Sequence, residues 1–212
     1  MIRVVVLDHH PATCAGVNAI LHEHAGVVPV GVAADRRALW PLLYRADPDV
    51  VVLDDLRLCL AVRARCPQAR VVLHSAQADD SACGLASVEG RAPRASPSAA
   101  MGLWRMIVPA AFAGAHALVD KRCSPAELVA AVRGDNPLPV ITPRLQRHAA
   151  AQLSPTDRAI LAMRLAGTPD REIAATIGID PRAIGARNAH IVDVLSGRPV
   201  AALDGAGELH AG

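Results

Sequence analysis

The sequence predicts an α/β doubly wound domain followed by a small all-α helix-turn-helix domain. Short β-branched runs recur through the amino-terminal half, and residues 153–195 combine helical apolar spacing with turn residues. Runs that are apolar throughout are typical of parallel strands buried on both faces. A chain of 212 residues is long enough for two such domains.

Four segments are predicted as parallel strands, with helices between them, notably over 12–24 and 125–133. The strands are residues 2–7, 49–54, 70–75 and 116–121. Polar residues stand at their ends: Asp8, Asp54, Ser75 and Lys121. Because the carboxyl ends of parallel strands meet at one edge of a sheet, we expect these side chains to form one pocket, with His9 and Asp55 beside them.

Residues 153–195 are predicted to form three short helices. Ser154, Asp170 and Asp180 stand where these helices are expected to begin, because such side chains cap free backbone amides. The third helix has an apolar stripe made of Ile184, Ile191 and Leu195. In a helix-turn-helix, the third helix would enter the major groove of duplex DNA.

This segment resembles the LuxR-type helix-turn-helix of NarL/FixJ response regulators. LSPTDRAIL stands at the family's opening motif, and REIAATIGI matches its second helix and turn. The resemblance implies binding to double-stranded DNA, with contacts expected from Arg171, Arg182, Arg187, Asn188 and His190. The third helix departs from the family, since its usual lysine is absent. Gly185 in the interior of this helix should lower its stability by roughly 1 kcal/mol relative to alanine. Asn188 falls on the apolar stripe, where its polar side chain needs a hydrogen-bond partner.

The strand-end residues resemble the pocket of a response-regulator receiver domain, from Ile2 to about Arg133. By position, Asp54 corresponds to the phosphoacceptor, Ser75 to the switch hydroxyl and Lys121 to the lysine that pairs with the phosphoryl group. A carboxylate can attack phosphorus while a cation neutralises the developing charge.

The receiver departs from its family at the metal-binding acids. His9 follows Asp8 where the family has a second acid, and imidazole is a poor ligand for Mg²⁺. We therefore expect no cofactor, and an atypical receiver that works without phosphorylation of Asp54. A transition metal held by His9, Asp54 or Asp55, and His74 is an open alternative.

The resemblance divides the chain into a receiver over 1–135, a linker over 136–152 and a DNA-binding domain over 153–212. An insertion is expected at about 78–110. The apolar segment 102–112, which follows a loop at 84–100, either binds a partner or forms a core helix. The linker is rich in proline, which disfavours helix and sheet.

Composition excludes several classes of protein. The formal net charge of +2 predicts no general polyanion binding, and 2% aromatic residues argue against a stacking surface for single-stranded nucleic acid. Residues 153–212 hold six arginines, no lysine, five aspartates and two glutamates, a net charge of −1. The sequence has no long apolar run, so we expect a cytoplasmic protein with no membrane partner.

The sequence therefore predicts a non-enzymatic transcription regulator, expected to act as a homodimer and to answer a sensor kinase or another protein. Two alternatives stay open. One is a conventional phosphorylated two-component response regulator. The other is an adaptor that does not bind DNA and keeps only a vestigial helix-turn-helix.

Overall fold

A five-stranded parallel sheet forms the centre of the amino-terminal domain. The computed structural model describes residues 1–76 and 106–197. The strands are β1 (Ile2–Leu7), β2 (Val27–Ala33), β3 (Val50–Leu53), β4 (Arg70–Ser75) and β5 (Ala117–Asp120). Their order in the sheet is β2-β1-β3-β4-β5, and every neighbouring pair is parallel. This order is that of a doubly wound α/β fold, so the predicted fold class is confirmed.

Strand β2 was not among the four predicted strands, because Pro29 and Gly31 lie within it. Proline has no N–H to donate to a neighbouring strand, so it is tolerated mainly at a sheet edge or a bulge. Strand β2 is an edge strand, and its register against β1 shifts where Pro29 pairs with Val4 and Gly31 pairs with Val5. The other four strands match their predicted ranges to within about one residue at each end.

Helices cover both faces of the sheet. They are α1 (Pro11–His22), α2 (Arg36–Ala46), α3 (Leu56–Arg65), α4 (described over 106–113) and α5 (Pro125–Arg133). Side chains of β1 alternate between the two faces, as a pleated strand requires. Val4 and Val6 pack on the side of α1 and α5, whereas Val5 and Leu7 pack on the side of α2, α3 and α4.

Four helices follow in the carboxyl-terminal part: α6 (Pro143–Ala150), α7 (Pro155–Leu165), α8 (Asp170–Ile177) and α9 (Ile184–Ser196). Helix α6 lies inside the predicted linker, which is thus partly helical. Ser154 caps α7 as predicted, because its hydroxyl accepts a hydrogen bond from the Asp157 amide at 3.2 Å. The all-α character predicted for this part of the chain is confirmed.

Two predicted helix starts in this part are corrected by the structure. Asp170 is the first residue of α8, and the capping position is occupied by Pro169. The Asp170 carboxylate pairs instead with Arg164. Helix α9 begins at Ile184, because the Asp180 carboxylate accepts the amide of Arg182 at 2.8 Å and holds a turn before the helix.

The carboxyl-terminal helices pack against the α3 and α4 side of the sheet and share an apolar core with it. Phe112 of α4, Ile173 of α8 and Ile191 of α9 are all fully buried in this core. Within the two described ranges, no helix is long and apolar enough to cross a membrane. Most of the predicted insertion at 78–110 lies outside the described residues.

Candidate functional site

The ends of four parallel strands bring the predicted pocket residues together. Asp8 follows β1, Asp54 follows β3, Ser75 ends β4 and Lys121 follows β5. A cleft of about 140 Å³ opens between them. Its lining consists of Asp54, Leu56, Leu73, Ser75, Ala76, Met106 and Lys121. Asp8 lies behind this lining with 1% of its surface exposed.

Lys121 joins the two carboxylates of the pocket. Its Nζ lies 2.6 Å from Asp8 Oδ2 and 3.3 Å from Asp54 Oδ2. Burial disfavours the charged lysine, but the hydrogen bonds and charges of the two aspartates outweigh it and raise the pKa of Lys121. Burial likewise disfavours the charged Asp8, yet Lys121 and the His10 amide outweigh it and lower the pKa of Asp8. Lys121 and Asp8 are therefore both charged at neutral pH.

Two histidines cover the outer side of the same carboxylates. His9 Nδ1 lies 3.0 Å from Asp54 Oδ1, and the His9 side chain is 58% exposed. His10 Nδ1 lies 3.2 Å from Asp8 Oδ1, and the His10 amide donates to the same oxygen at 2.8 Å. His9 was predicted from the sequence as a pocket residue, and His10 was not. The His-His-Pro run before α1 was the available signal, because α1 begins directly beside the pocket.

Asp55 has a different role from the one predicted. Its side chain accepts a hydrogen bond from the Leu58 amide at 2.8 Å and caps the start of α3. A carboxylate at this position also favours the positive end of the helix. Asp55 is thus directed along α3 rather than among the lining residues of the cleft.

His74 lies on β4 with only 4% of its surface exposed. Burial lowers its pKa, and the charge of Lys121 lowers it further. His74 is therefore neutral at neutral pH. In the described part of the chain, the set of potential metal ligands that converges is Asp8, His10 and Asp54, so His74 is not a member of it.

Two of the predicted DNA-contacting residues are exposed, and the other three are partly or fully buried. Arg171 and Arg182 are exposed, at the start of α8 and just before α9. Arg187 donates from Nε to Asp157 Oδ1 at 2.6 Å. Asn188 is 2% exposed and donates to Asp170 Oδ2 at 3.2 Å, so its side chain lies in the interior as the apolar stripe required. His190 is half-buried.

Helix α9 also contacts the amino-terminal domain directly. Arg57 of α3 makes two hydrogen bonds to the carboxylate of Asp193, of which the one from Nε is 2.8 Å long. Asp193 is 3% exposed. Nearby, Arg164 Nε donates to the backbone oxygen of Phe112 at 2.7 Å. The carboxyl-terminal half of α9 is therefore held against α3 of the amino-terminal domain.

No family model and no curated protein sequence matches the chain. Among solved structures, it is similar to RcsB from Salmonella enterica serovar Typhimurium bound to promoter rprA, with 19% identity, a TM-score of 0.49 and 94% of each chain covered. It is similar to the signal receiver domain of NarL from Mycobacterium tuberculosis, with 29% identity, a TM-score of 0.45, and 62% of this chain and 93% of that chain covered. RcsB is described as a two-component response regulator, and NarL as a putative response regulator.

A third similar structure is a LuxR-family two-component response regulator from Aurantimonas sp. SI85-9A1. It is 21% identical with a TM-score of 0.49, and the match covers 71% of this chain and 96% of that chain.

The pocket of this chain does not fit the Mg²⁺ ion that a receiver implies. Mg²⁺ demands oxygen ligands in nearly octahedral geometry. Here the position of the second acid holds His9, whose ring nitrogen lies against Asp54. The inner oxygens of Asp8 and Asp54 already face the ammonium of Lys121. A magnesium ion at this site would therefore have one carboxylate ligand fewer than in a receiver with two acids at this position.

Proposed function

We propose that this chain is a response-regulator transcription factor that binds duplex DNA through α7, α8 and α9 and needs no phosphorylation of Asp54. The observation that carries the proposal is the three-helix unit, in which Ile160, Ile173 and Ile191 are fully buried. This unit leaves the turn before α9 and the first turn of α9 exposed, with Arg182, Gly185 and Ala186 at the surface. Small residues permit close approach to a groove, and a nearby arginine supplies positive charge.

We propose the division predicted from the sequence, with a receiver over 1–135, a linker over 136–152 and a DNA-binding domain over 153–212. The DNA-binding domain carries a net charge of −1, so one copy neutralises few phosphates. Two copies on a two-fold site would double the contacts. We therefore propose a homodimer on DNA, with no catalytic turnover and no membrane partner.

Among the predicted contacts, the exposed arginines Arg182 and Arg171 are the ones we assign to DNA. Arg187 reaches DNA only by leaving the carboxylate of Asp157, to which it is bonded at 2.6 Å. Asn188 would have to leave the interior of the domain. His190 lies farther along the same helix and is half-buried, so we assign it a smaller contribution to DNA binding than the exposed arginines.

We propose that the receiver regulates DNA binding by controlling whether α9 is packed against it or is available to DNA. The ion pair between Arg57 and Asp193 joins α3 to the carboxyl-terminal half of that helix. A helix packed against a protein surface cannot present the same face to a DNA groove. A sensor kinase, another protein or a ligand that loosens this contact would raise the affinity of the chain for DNA.

The assignment of Arg182 predicts a specific effect of salt on DNA binding. In Arg182→Ala, binding to a short mixed-sequence duplex should weaken, and the slope of log affinity against log salt should decrease in magnitude by about 1, because one phosphate contact is lost. Fluorescence anisotropy over a salt series measures both quantities. Arg37→Ala is the matched control, since Arg37 is an exposed arginine of the receiver. An unchanged slope in Arg182→Ala, or an equal change in Arg37→Ala, would refute the assignment.

The conventional phosphorylated regulator is the second candidate, because Asp54, Ser75 and Lys121 do meet in one cleft. It predicts a gain in mass of one phosphoryl group when the full-length chain is incubated with acetyl phosphate and Mg²⁺, and no gain in Asp54→Asn. We expect no such gain in the wild-type chain, because His9 replaces a magnesium ligand. Intact-protein mass spectrometry decides between the two candidates.

A further inference from the structure

We propose that Asp8, His10 and Asp54 form a binding site for a borderline divalent transition metal ion, such as Ni²⁺ or Zn²⁺. The potential ligand atoms of these three residues all lie within 4.8 Å of one another. Asp8 comes from the end of β1, His10 precedes α1 and Asp54 follows β3. Two segments, the β1–α1 connection and the β3–α3 connection, therefore direct ligand atoms to one point at the mouth of the pocket.

The chemistry of these ligands suits transition metals better than Mg²⁺. Imidazole nitrogen binds Zn²⁺, Ni²⁺ and Cu²⁺ well, whereas Mg²⁺ prefers oxygen alone. Zinc binds histidine and carboxylate ligands at about 2.0–2.2 Å, which places two ligands of a tetrahedral site about 3.4 Å apart. Closing the present spacing to that value needs only a small movement. The His10 side chain is 74% exposed and is free to make this movement.

The ion pairs of Lys121 leave the outer carboxylate oxygens available. The ammonium of Lys121 contacts the Oδ2 atoms of both Asp8 and Asp54. The Oδ1 atoms lie on the histidine side, with His10 Nδ1 3.2 Å from Asp8 Oδ1 and His9 Nδ1 3.0 Å from Asp54 Oδ1. His9 Nδ1 also lies 3.2 Å from Asp54 Oδ2. A metal ion on the histidine side can therefore bind while Lys121 keeps its place.

His9 lies beside the three converging ligands, and rotation of its exposed side chain would bring its ring in as a fourth. Its ring already lies against Asp54, and 58% of its side chain is exposed to solvent. Two imidazoles and two carboxylates would complete a four-coordinate site. The replacement of an acid by His9, which removes a ligand for Mg²⁺, thus adds one for a transition metal.

Isothermal titration of the full-length, metal-free chain with NiCl₂, ZnCl₂ and MgCl₂ tests the proposal. We expect Ni²⁺ and Zn²⁺ to bind at least tenfold more tightly than Mg²⁺. In His10→Ala, the Ni²⁺ affinity should fall by more than about tenfold, since losing even an outer-sphere partner costs about 10–100-fold. His22→Ala is the matched control, because His22 is an exposed histidine at the far end of α1. Its Ni²⁺ affinity should equal that of the wild type.

Two further measurements test whether the metal ion binds at this site. His9→Asp restores the second acid and should shift the preference from Ni²⁺ toward Mg²⁺. The absorption spectrum of the Co²⁺-loaded chain should show nitrogen and oxygen ligands, with no intense thiolate band from cysteine. The proposal is overturned if Ni²⁺ and Zn²⁺ bind no more tightly than Mg²⁺, if folded His10→Ala binds Ni²⁺ as the wild type does, or if the thiolate band appears.

Discussion

Replacing Phe112 by alanine should lower the free energy of unfolding by about 3–5 kcal/mol, the range found when a buried phenylalanine is truncated. Phe112 is the one phenylalanine in the sequence, and its side chain is fully buried. It lies where the amino-terminal domain meets the carboxyl-terminal helices, with the guanidinium of Arg164 5.3 Å from the centre of its ring. The substitution therefore removes apolar contacts from a core that both parts of the chain share.

Urea denaturation followed by circular dichroism measures this loss. Tyr44→Ala is the matched control, because Tyr44 is an aromatic residue with 92% of its surface exposed. Its stability should change by less than about 0.5 kcal/mol. If Phe112→Ala and Tyr44→Ala were equally stable, the shared core described here would be wrong.

Replacing Arg187 by alanine should destabilise the carboxyl-terminal helices by about 2–3 kcal/mol. Asp157 has 3% of its side chain exposed, and Arg187 is its cationic partner at 2.6 Å. Breaking a buried ion pair by removing one partner costs about 3–5 kcal/mol, and solvent reduces the loss here because Arg187 is partly exposed. Ser154 Oγ remains 2.6 Å from the other carboxylate oxygen and also limits the loss.

Thermal melting of Arg187→Ala and of Arg182→Ala separates a structural role from a DNA-contacting one. Arg182 is exposed, so its replacement should leave the melting temperature close to that of the wild type. Equal melting temperatures for the two variants would contradict the structural role of Arg187. The prediction also matters for function, because loss of DNA binding in Arg187→Ala would partly reflect a weakened fold.

The strands and pocket were predictable because their signals are local. Runs such as VVVL indicate buried strands, and a polar residue directly after each run marks the edge where ligands bind. Asp8, Asp54 and Lys121 could therefore be brought together from the sequence. Strand β2 was missed because Pro29 interrupts its pattern, although an edge position tolerates it.

Contacts between distant residues were not predictable from the sequence. The hydrogen bond between Arg187 and Asp157 spans 30 residues, and the bonds between Arg57 and Asp193 span 136. Neither apolar spacing nor turn residues predict such pairs, because the pairs depend on how the helices pack in the tertiary structure. Arg187 therefore looked free to contact DNA, and Asp55 looked like a pocket residue although it caps a helix.

We propose that this chain binds duplex DNA of a specific base sequence through α9 and the residues before it. Selection of bound duplexes from a random library by the full-length chain, at near-physiological salt and followed by sequencing, tests it most directly. We predict enrichment of one motif, with two-fold symmetry if the chain binds as a dimer, and weaker binding of that motif by Arg182→Ala. Absence of any enriched motif would contradict the claim and would favour an adaptor that does not bind DNA.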